Sequence, residues 1–254
     1  MSRNARVFFA VAAAAAALMV WTPLARAGEV EDLLSEIDDM WRERSSEATV
    51  DMNVKTANYE RHMRMKAWSK GKDHSLIRIE RPLKEKDTAT LKSGEDIYTY
   101  LPKTDRTIRL TSGMMMGSWM GSHFTNDDLV KESRLLDDYT AAKEGERKVD
   151  GHRVVDIQLI PKEDAAVVWG KILISVDTDR RIPIKAVYYD EDMKVARTMT
   201  YSNLKEVDGK VRPMTMRVVP ADKPDEFTEL DYSELKFDVD LKDSFFSIGN
   251  LRKR

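Results

Sequence analysis

Apolar residues recur at helical spacing in one segment near the start of the chain. Between residues 30 and 41 they fall three or four positions apart, which places them on one face of a helix. This stripe consists of Val30, Leu33, Leu34, Ile37, Met40 and Trp41. We therefore predict one amphipathic helix here, whose apolar face packs against the rest of the chain.

Alternation of apolar and polar residues replaces the helical pattern after residue 47. Alternation is typical of strands with one buried face, and turn sequences such as Asp150-Gly151 and Asp208-Gly209 separate many of these segments. Arg61 is an exception, because it stands at a position where the alternation calls for an apolar residue. The predicted strands are 48–55, 59–67, 74–81, 87–92, 96–101, 106–110, 134–144, 147–161, 167–177, 182–190, 194–205, 210–219 and 226–238. Short turns between so many strands favour an antiparallel meander, strongly curved into a barrel or a deep half-barrel.

The segment from Met114 to Leu129 does not fit the strand pattern. It reads as an apolar loop with glycines at 117 and 121, followed by a helical turn that Thr125 and Asp128 could cap. Contiguous apolar surface often marks a binding site, and methionine adapts to varied apolar partners. We therefore predict a loop-helix lid that closes one end of the sheet. The candidate ligand-binding residues are Met114, Met115, Met116, Trp119, Met120 and Phe124 of the loop, with Leu34, Ile37 and Trp41 of the helix.

Two less specific interpretations of this loop stay open. The methionines and Trp119 could simply fill the core of a rigid barrel, since apolar stripes are core more often than binding sites. Methionine thioethers of an exported protein could also bind Cu(I), but no cysteine or patterned histidine supports a copper site.

The first 27 residues have the three parts of a secretory signal. Arg3 and Arg6 precede an apolar run from residue 7 to residue 20, and Ala25-Arg26-Ala27 is a small-x-small cleavage site. We predict cleavage before Gly28, a single domain over residues 28–254, and a periplasmic protein. The full chain of 254 residues contains no cysteine, so its stability depends on a core and not on disulfides.

Charge and motifs exclude several classes of function. The formal net charge is −2 and becomes more negative when the signal leaves, which argues against binding to nucleic acid. Gly117-Ser118-Trp119-Met120-Gly121 lacks the spacing of a nucleophile elbow, and the four histidines show no zinc-binding spacing. We expect no enzyme, no metal and no cofactor.

Two segments carry a family resemblance. Residues 94–102 and 120–129 resemble the outer membrane lipoprotein-sorting proteins of the LolA-like superfamily; the second segment reads Met-Gly-Ser-His-Phe-Thr-Asn-Asp-Asp-Leu. Several later pieces agree, among them Asp208-Gly209-Lys210 and Phe245-Phe246. The resemblance implies an unclosed β-barrel whose concave apolar face is covered by helices and a loop. Arg81, before Pro82, is the candidate for the arginine that locks the lid in lipoprotein carriers.

The leading hypothesis for function also rests on this resemblance. It implies a monomeric periplasmic carrier or chaperone that binds acyl chains of lipids or lipoproteins for transport toward the outer membrane. An inner-membrane transporter of the RND or ABC type is the implied partner. The alternative is a lipid-responsive interaction module or an accessory protein of an RND-type exporter.

Overall fold

The alternating segments form thirteen strands of one antiparallel sheet. A computed structural model describes residues 24–131, 134–165 and 167–253 of the chain. The strands are β1 (Ser45–Lys55), β2 (Glu60–Lys70), β3 (His74–Arg81), β4 (Ala89–Ser93), β5 (Asp96–Leu101), β6 (Arg106–Arg109), β7 (Tyr139–Val149), β8 (His152–Pro161), β9 (Lys171–Asp177), β10 (Ile182–Tyr189), β11 (Val195–Val207), β12 (Lys210–Pro220) and β13 (Phe227–Phe237). The predicted mainly β fold, a curved antiparallel sheet with an N-terminal helix, is confirmed.

The order of the strands explains why the sheet is an open half-barrel. It runs β6-β5-β4-β3-β2-β1-β13-β12-β11-β10-β9-β8-β7. A first meander, β1 to β6, and a second meander, β7 to β13, are therefore joined where β1 pairs with β13. Twist accumulates over so many strands and curls the sheet, yet β6 and β7 remain as its two edges. The chain between these strands, residues 110–138, therefore has to pass from one edge of the sheet to the other.

Four α-helices accompany the sheet in the part of the chain that the structure describes. They are α1 (Leu24–Asp39), α2 (Asn126–Lys131), α3 (Leu135–Asp138) and α4 (Ile248–Leu251). The predicted apolar stripe of α1 is buried from Val30 to Met40 and packs with strands β8 to β12. None of the helices among the described residues is both long and apolar enough to cross a membrane.

Two further apolar clusters lie on either side of the first meander. Trp119 packs with residues of β1 to β3 that face the same side as the residues under α1. On the other side of the sheet, Phe246 and Leu251 of the C-terminal segment cover Leu76 and Leu91. The concave side thus has two separate covers, α1 over the second meander and the loop with Trp119 over the first.

Apart from shifts at strand ends, such as β9 beginning at Lys171 and not at residue 167, the strand prediction was wrong at two places. Residues 135–138 form the single turn of α3 where the sequence predicted the start of a strand, because Leu135 and Leu136 pack beside α1. The strand predicted over 147–161 is divided at Asp150-Gly151, where both residues have positive φ and form a tight hairpin turn. Most of the predicted secretory signal, residues 1–23, lies outside the described residues.

Candidate functional site: an apolar cavity under a fastened loop

A cavity of about 160 Å³ lies between the concave face of the sheet and its covers. Val50, Met65 and Ile77 form the wall of the first meander, while Met199, Tyr201 and Met216 belong to the second. Trp119 and Phe124 close the cavity from the loop, Ile37 and Trp41 from α1, and Leu135 from α3. Apart from Asp127 and Asp128, its lining carries no acidic or basic side chain, so the space suits an apolar ligand.

The loop that closes the cavity, which we call the cover loop (residues 111–125), has its own backbone structure. Ser118 and Thr125 form an isolated antiparallel bridge, and the amide of Trp119 donates to the carbonyl of Phe124 at 2.8 Å. Met120 and Gly121 form the tip of this small hairpin, both with positive φ (52° and 68°). The tip turns the apolar side chains of Trp119 and Phe124 inward, where they are 5% and 7% exposed.

Helix α2 follows the cover loop with the predicted capping box. The amide of Thr125 donates to Asp128 Oδ2 at 2.7 Å, and the amide of Asp128 donates to Thr125 Oγ1 at 3.2 Å. These reciprocal bonds satisfy two amides that the start of a helix would leave without partners. The cap therefore fixes where Asp128 stands relative to the cover loop.

Strands β2 and β4 fasten the tip of the cover loop to the first meander. The side chain of Arg61 donates to the carbonyl of Met120 at 2.8 Å and forms a salt bridge with Glu85 at 2.7 Å. The indole of Trp119 donates to Thr90 Oγ1 at 3.2 Å. Arg61 is the residue that interrupts the alternation of apolar and polar residues in β2. The sequence therefore showed that its position is unusual, but it did not indicate the contact with Met120.

Strand β13 fastens the cover loop from the opposite side. The backbone amide of His123 donates to Thr228 Oγ1 at 2.9 Å, and Nδ1 of the same histidine lies 2.8 Å from that hydroxyl. Nε2 lies 3.2 Å from Glu226, which also accepts from the amide of Ala57. The resulting contacts hold the loop near the point where β1 and β13 join the two meanders.

Arg197 of β11 forms a bidentate ion pair with Asp128 of α2, directly after the cover loop. Its two terminal nitrogens lie 2.7 Å and 2.6 Å from the two carboxylate oxygens of Asp128, and Nη1 also donates to the carbonyl of His123 at 3.3 Å. Burial lowers the pKa of Arg197, but the neighbouring carboxylate of Asp128 outweighs burial and raises it. Bidentate pairs of an arginine and a carboxylate contain some of the strongest hydrogen bonds in proteins.

Two aromatic rings of the cavity wall hold Arg197 independently of Asp128. Its guanidinium carbon lies 4.3 Å from the ring centres of both Trp169 and Tyr188, and the side chain is 5% exposed. The sequence analysis missed this residue. Its signal was available, because Arg197 shares the inward face of a predicted strand with Met199 and Tyr201, where a charged side chain is unexpected.

Helices α1 and α3 meet at a buried carboxylate. Asp38 is 3% exposed, and one of its oxygens accepts from the amide of Leu135 at 3.2 Å. Burial raises the pKa of Asp38 to about 7, against the lowering effect of Lys72. Asp38 therefore gains or loses its proton close to neutral pH. It does so at the interface between α1 and α3, the two helices that flank the cavity.

The predicted ligand-binding residues divide into two groups. Ile37, Trp41, Trp119 and Phe124 line the cavity together. The others do not: Leu34 is fully buried in the core beside it, Met120 packs against the apolar cluster of β1 to β3, Met114 and Met116 are 41% and 57% exposed, and Met115 is half-buried. Arg81, the candidate locking arginine, is exposed at the end of β3. Arg61 and Arg197 contact the cover instead.

One group of potential metal ligands lies close together among the described residues. His152 Nδ1 is 3.5 Å from Asp179 and 3.9 Å from Asp177. Asp177, however, accepts from the backbone amides of Asp179 and Arg180 and lies 3.4 Å from the Arg180 side chain. The carboxylate therefore stabilises the turn between β9 and β10, an arrangement that favours a structural role.

Three solved structures share this architecture. A domain assigned to the outer membrane lipoprotein-sorting proteins, from Vibrio parahaemolyticus, is 25% identical with a TM-score of 0.78, over 90% of this chain and 100% of that one. A DUF1329 family protein from Desulfovibrio piger is 26% identical with a TM-score of 0.79, over 89% and 98%. A LolA superfamily protein from Nitrosomonas europaea is 24% identical with a TM-score of 0.74, over 87% and 98%. No curated protein matches the chain.

A family profile, described as that of an uncharacterized protein, matches residues 71–253. The chain belongs to this family, and it shares its fold with the LolA superfamily protein and the lipoprotein-sorting domain above. The resemblance predicted from residues 94–102 and 120–129 is thereby confirmed. In this LolA-like fold those residues form β5 with the turn before it, and the tip of the cover loop with the start of α2.

Proposed function

We propose that this protein is an exported carrier that binds acyl chains of lipids or lipoproteins in the cavity under the cover loop. The observation that carries the proposal is the position of the cavity. It is apolar, it lies between the sheet and two covers, and one cover is attached by hydrogen bonds and ion pairs, which can exchange with water, in addition to the apolar contacts of Trp119 and Phe124. One structural neighbour, the Vibrio parahaemolyticus domain, is named for lipoprotein sorting, which supports the same class of ligand.

The size of the cavity implies that the cover has to move. Its volume of about 160 Å³ is close to that of apolar protein cavities that hold one benzene molecule, so only part of an acyl chain fits. Lifting the cover loop would join this space to the apolar surface beneath Trp119. Gly117, directly before the loop hairpin, and Gly121, at its tip, could absorb the change in backbone angles.

Burial of the chain would supply the affinity. Each methylene transferred from water contributes about 0.8 kcal/mol, so a long acyl chain gains enough to offset the cost of opening the cover. No covalent step is needed for such a carrier. The hydrogen bonds that fasten the cover then set how readily the protein accepts and releases its ligand.

Export and partners belong to the same proposal. We place the secretory signal at residues 1–27 and the LolA-like domain at 28–254, with the mature protein in the periplasm. Cleavage before Gly28 would shorten α1 by four residues and leave Glu29 and Glu31 in its first turn, where acidic residues stabilise a helix. We further propose that the carrier is a monomer that accepts its ligand from an inner-membrane transporter.

Binding of monoolein, a neutral lipid with one acyl chain, tests the proposal. In a variant of the mature protein that keeps Trp119 and replaces its other tryptophans by phenylalanine, we expect saturable binding and a shift in emission, because Trp119 lines the cavity. Native mass spectrometry should detect the complex. Absence of binding by both methods, for monoolein and for anionic lipids with one acyl chain alike, would refute the carrier function.

A further inference from the structure

Asp128 and Arg197 meet at the boundary between the cover and the cavity wall. Asp128 lines the cavity and its side chain is 17% exposed, while Arg197 is bracketed by Trp169 and Tyr188, which also line the cavity. Asp128 lies in α2 and is joined by the capping box to Thr125, the last residue of the cover loop, so lifting the loop would carry the carboxylate with it, while the guanidinium belongs to the sheet. Opening the cover therefore separates the two charges and leaves the cation at the cavity.

A guanidinium enclosed by aromatic rings needs an anion in the open state. Removing one member of a buried ion pair is strongly unfavourable, because the remaining charge is poorly solvated. The planar guanidinium presents two parallel donors, which match carboxylate and phosphate equally well. An amphiphile whose acyl chain entered the cavity would bring its own headgroup to the rim, where Asp128 had been.

We propose that Arg197 is a headgroup site, at which the carboxylate or phosphate of an anionic acyl amphiphile replaces Asp128. This inference rests on the proposed carrier function and makes it more specific. It explains why a basic residue stands on an apolar strand face, and it couples ligand entry to opening. The ligand displaces the carboxylate that holds the cover down, so loading and release each exchange one anion for another.

Three ligands with the same oleyl chain test the site: oleate, oleyl phosphate and monoolein. By calorimetry below their aggregation concentrations, we expect the mature protein to bind at least one anionic ligand about tenfold more tightly than monoolein, since a bond to a charged group has that strength. Preference for oleate would indicate fatty acids and preference for oleyl phosphate would indicate phospholipids, and either supports the site. Equal affinity for all three would overturn it.

Matched variants separate the headgroup site from the cavity. Arg197→Gln should lose the preference for anions, measured as the ratio of anion to monoolein affinity, and Arg197→Lys, which retains the charge, should restore part of that ratio. Asp128→Asn should bind anions more tightly, because the competing carboxylate is gone. Arg217 offers the control, since it pairs with Glu229 and lies over Phe227 but is 42% exposed. Arg217→Gln should leave all three affinities unchanged.

The outcomes distinguish this inference from the function on which it rests. If monoolein and both anions fail to bind, the carrier function itself is wrong. If monoolein binds but Arg197→Gln leaves a preference for anions intact, only the headgroup site is refuted. Weaker binding of anions to Asp128→Asn would also refute it, because that result would mean that Asp128 does not compete with the ligand.

Discussion

Separating Arg197 from Asp128 should loosen the cover in a way that a double-mutant cycle can measure. Arg197→Met leaves the Asp128 carboxylate largely enclosed, since its side chain is only 17% exposed. Breaking a buried pair costs about 3–5 kcal/mol, and Asp128 keeps its bond to the Thr125 amide, so we expect a loss of about 3 kcal/mol. For a chain of this size that corresponds to a fall of about 6–12 °C in melting temperature.

The partner variant and the double variant complete this cycle. Asp128→Asn leaves Arg197 between the rings of Trp169 and Tyr188 and beside a neutral amide oxygen. The substitution should therefore lower the free energy of unfolding by about 2 kcal/mol. The double variant should lose only about 3 kcal/mol, because the second change removes a group that already lacks its partner. The coupling free energy of the pair is then about 2 kcal/mol.

Urea unfolding followed by circular dichroism gives each free energy. The exposed pair Arg217 and Glu229 is the control, and its coupling should stay below about 1 kcal/mol. If the losses from Arg197→Met and Asp128→Asn simply add, the two residues do not act together. The reasoning that this pair fastens the cover would then be refuted.

Two further predictions concern Asp38, at the interface between α1 and α3, and the side chains of Met116 and Trp119 in the cover loop. Because burial raises the pKa of Asp38 to about 7, the folded protein keeps a proton that the unfolded chain releases near pH 4. The contribution of Asp38 to the free energy of unfolding should therefore fall by about 2–4 kcal/mol as the pH rises from about 4 to about 7. Asp38→Asn should lack that slope in melting temperature against pH, and an unchanged slope would exclude Asp38 as its source. Met116→Asp should change stability by no more than about 0.5 kcal/mol because the side chain is exposed, whereas Trp119→Ala should cost about 3 kcal/mol by urea unfolding. A large loss for Met116→Asp would instead favour methionines that fill the core.

The pattern of the sequence predicts most of this fold because each strand has one buried face. Thirteen alternating segments correspond to thirteen strands, and the stripe from Val30 to Met40 correctly predicts the buried face of α1. Residues 135–138 escaped prediction because one helical turn is too short to establish a period. Alternation also cannot give the order of strands, so the passage of residues 110–138 between the sheet edges was not foreseen.

The candidate site was predicted less completely than the fold. The apolar composition of the cover loop does not distinguish Trp119 and Phe124, which turn inward at the hairpin, from Met114 and Met116, which face solvent. Only the bridge between Ser118 and Thr125 and the positive φ at the tip decide that orientation. Arg61 and Arg197 were visible as charges at inward positions, but their contacts depend on which strands face the cover.

Locking the cover with a disulfide tests the central claim most directly. The chain has no cysteine, and the amide of His123 lies 2.9 Å from Thr228 Oγ1, so cysteines at these two positions should be within reach of each other. The same polypeptide can then be compared oxidised, with the cover loop bonded to β13, and reduced, with the loop free to lift. Native mass spectrometry with monoolein should show binding to the reduced form and none to the oxidised form. Equal binding by both forms would contradict an acyl cavity that opens beneath this loop.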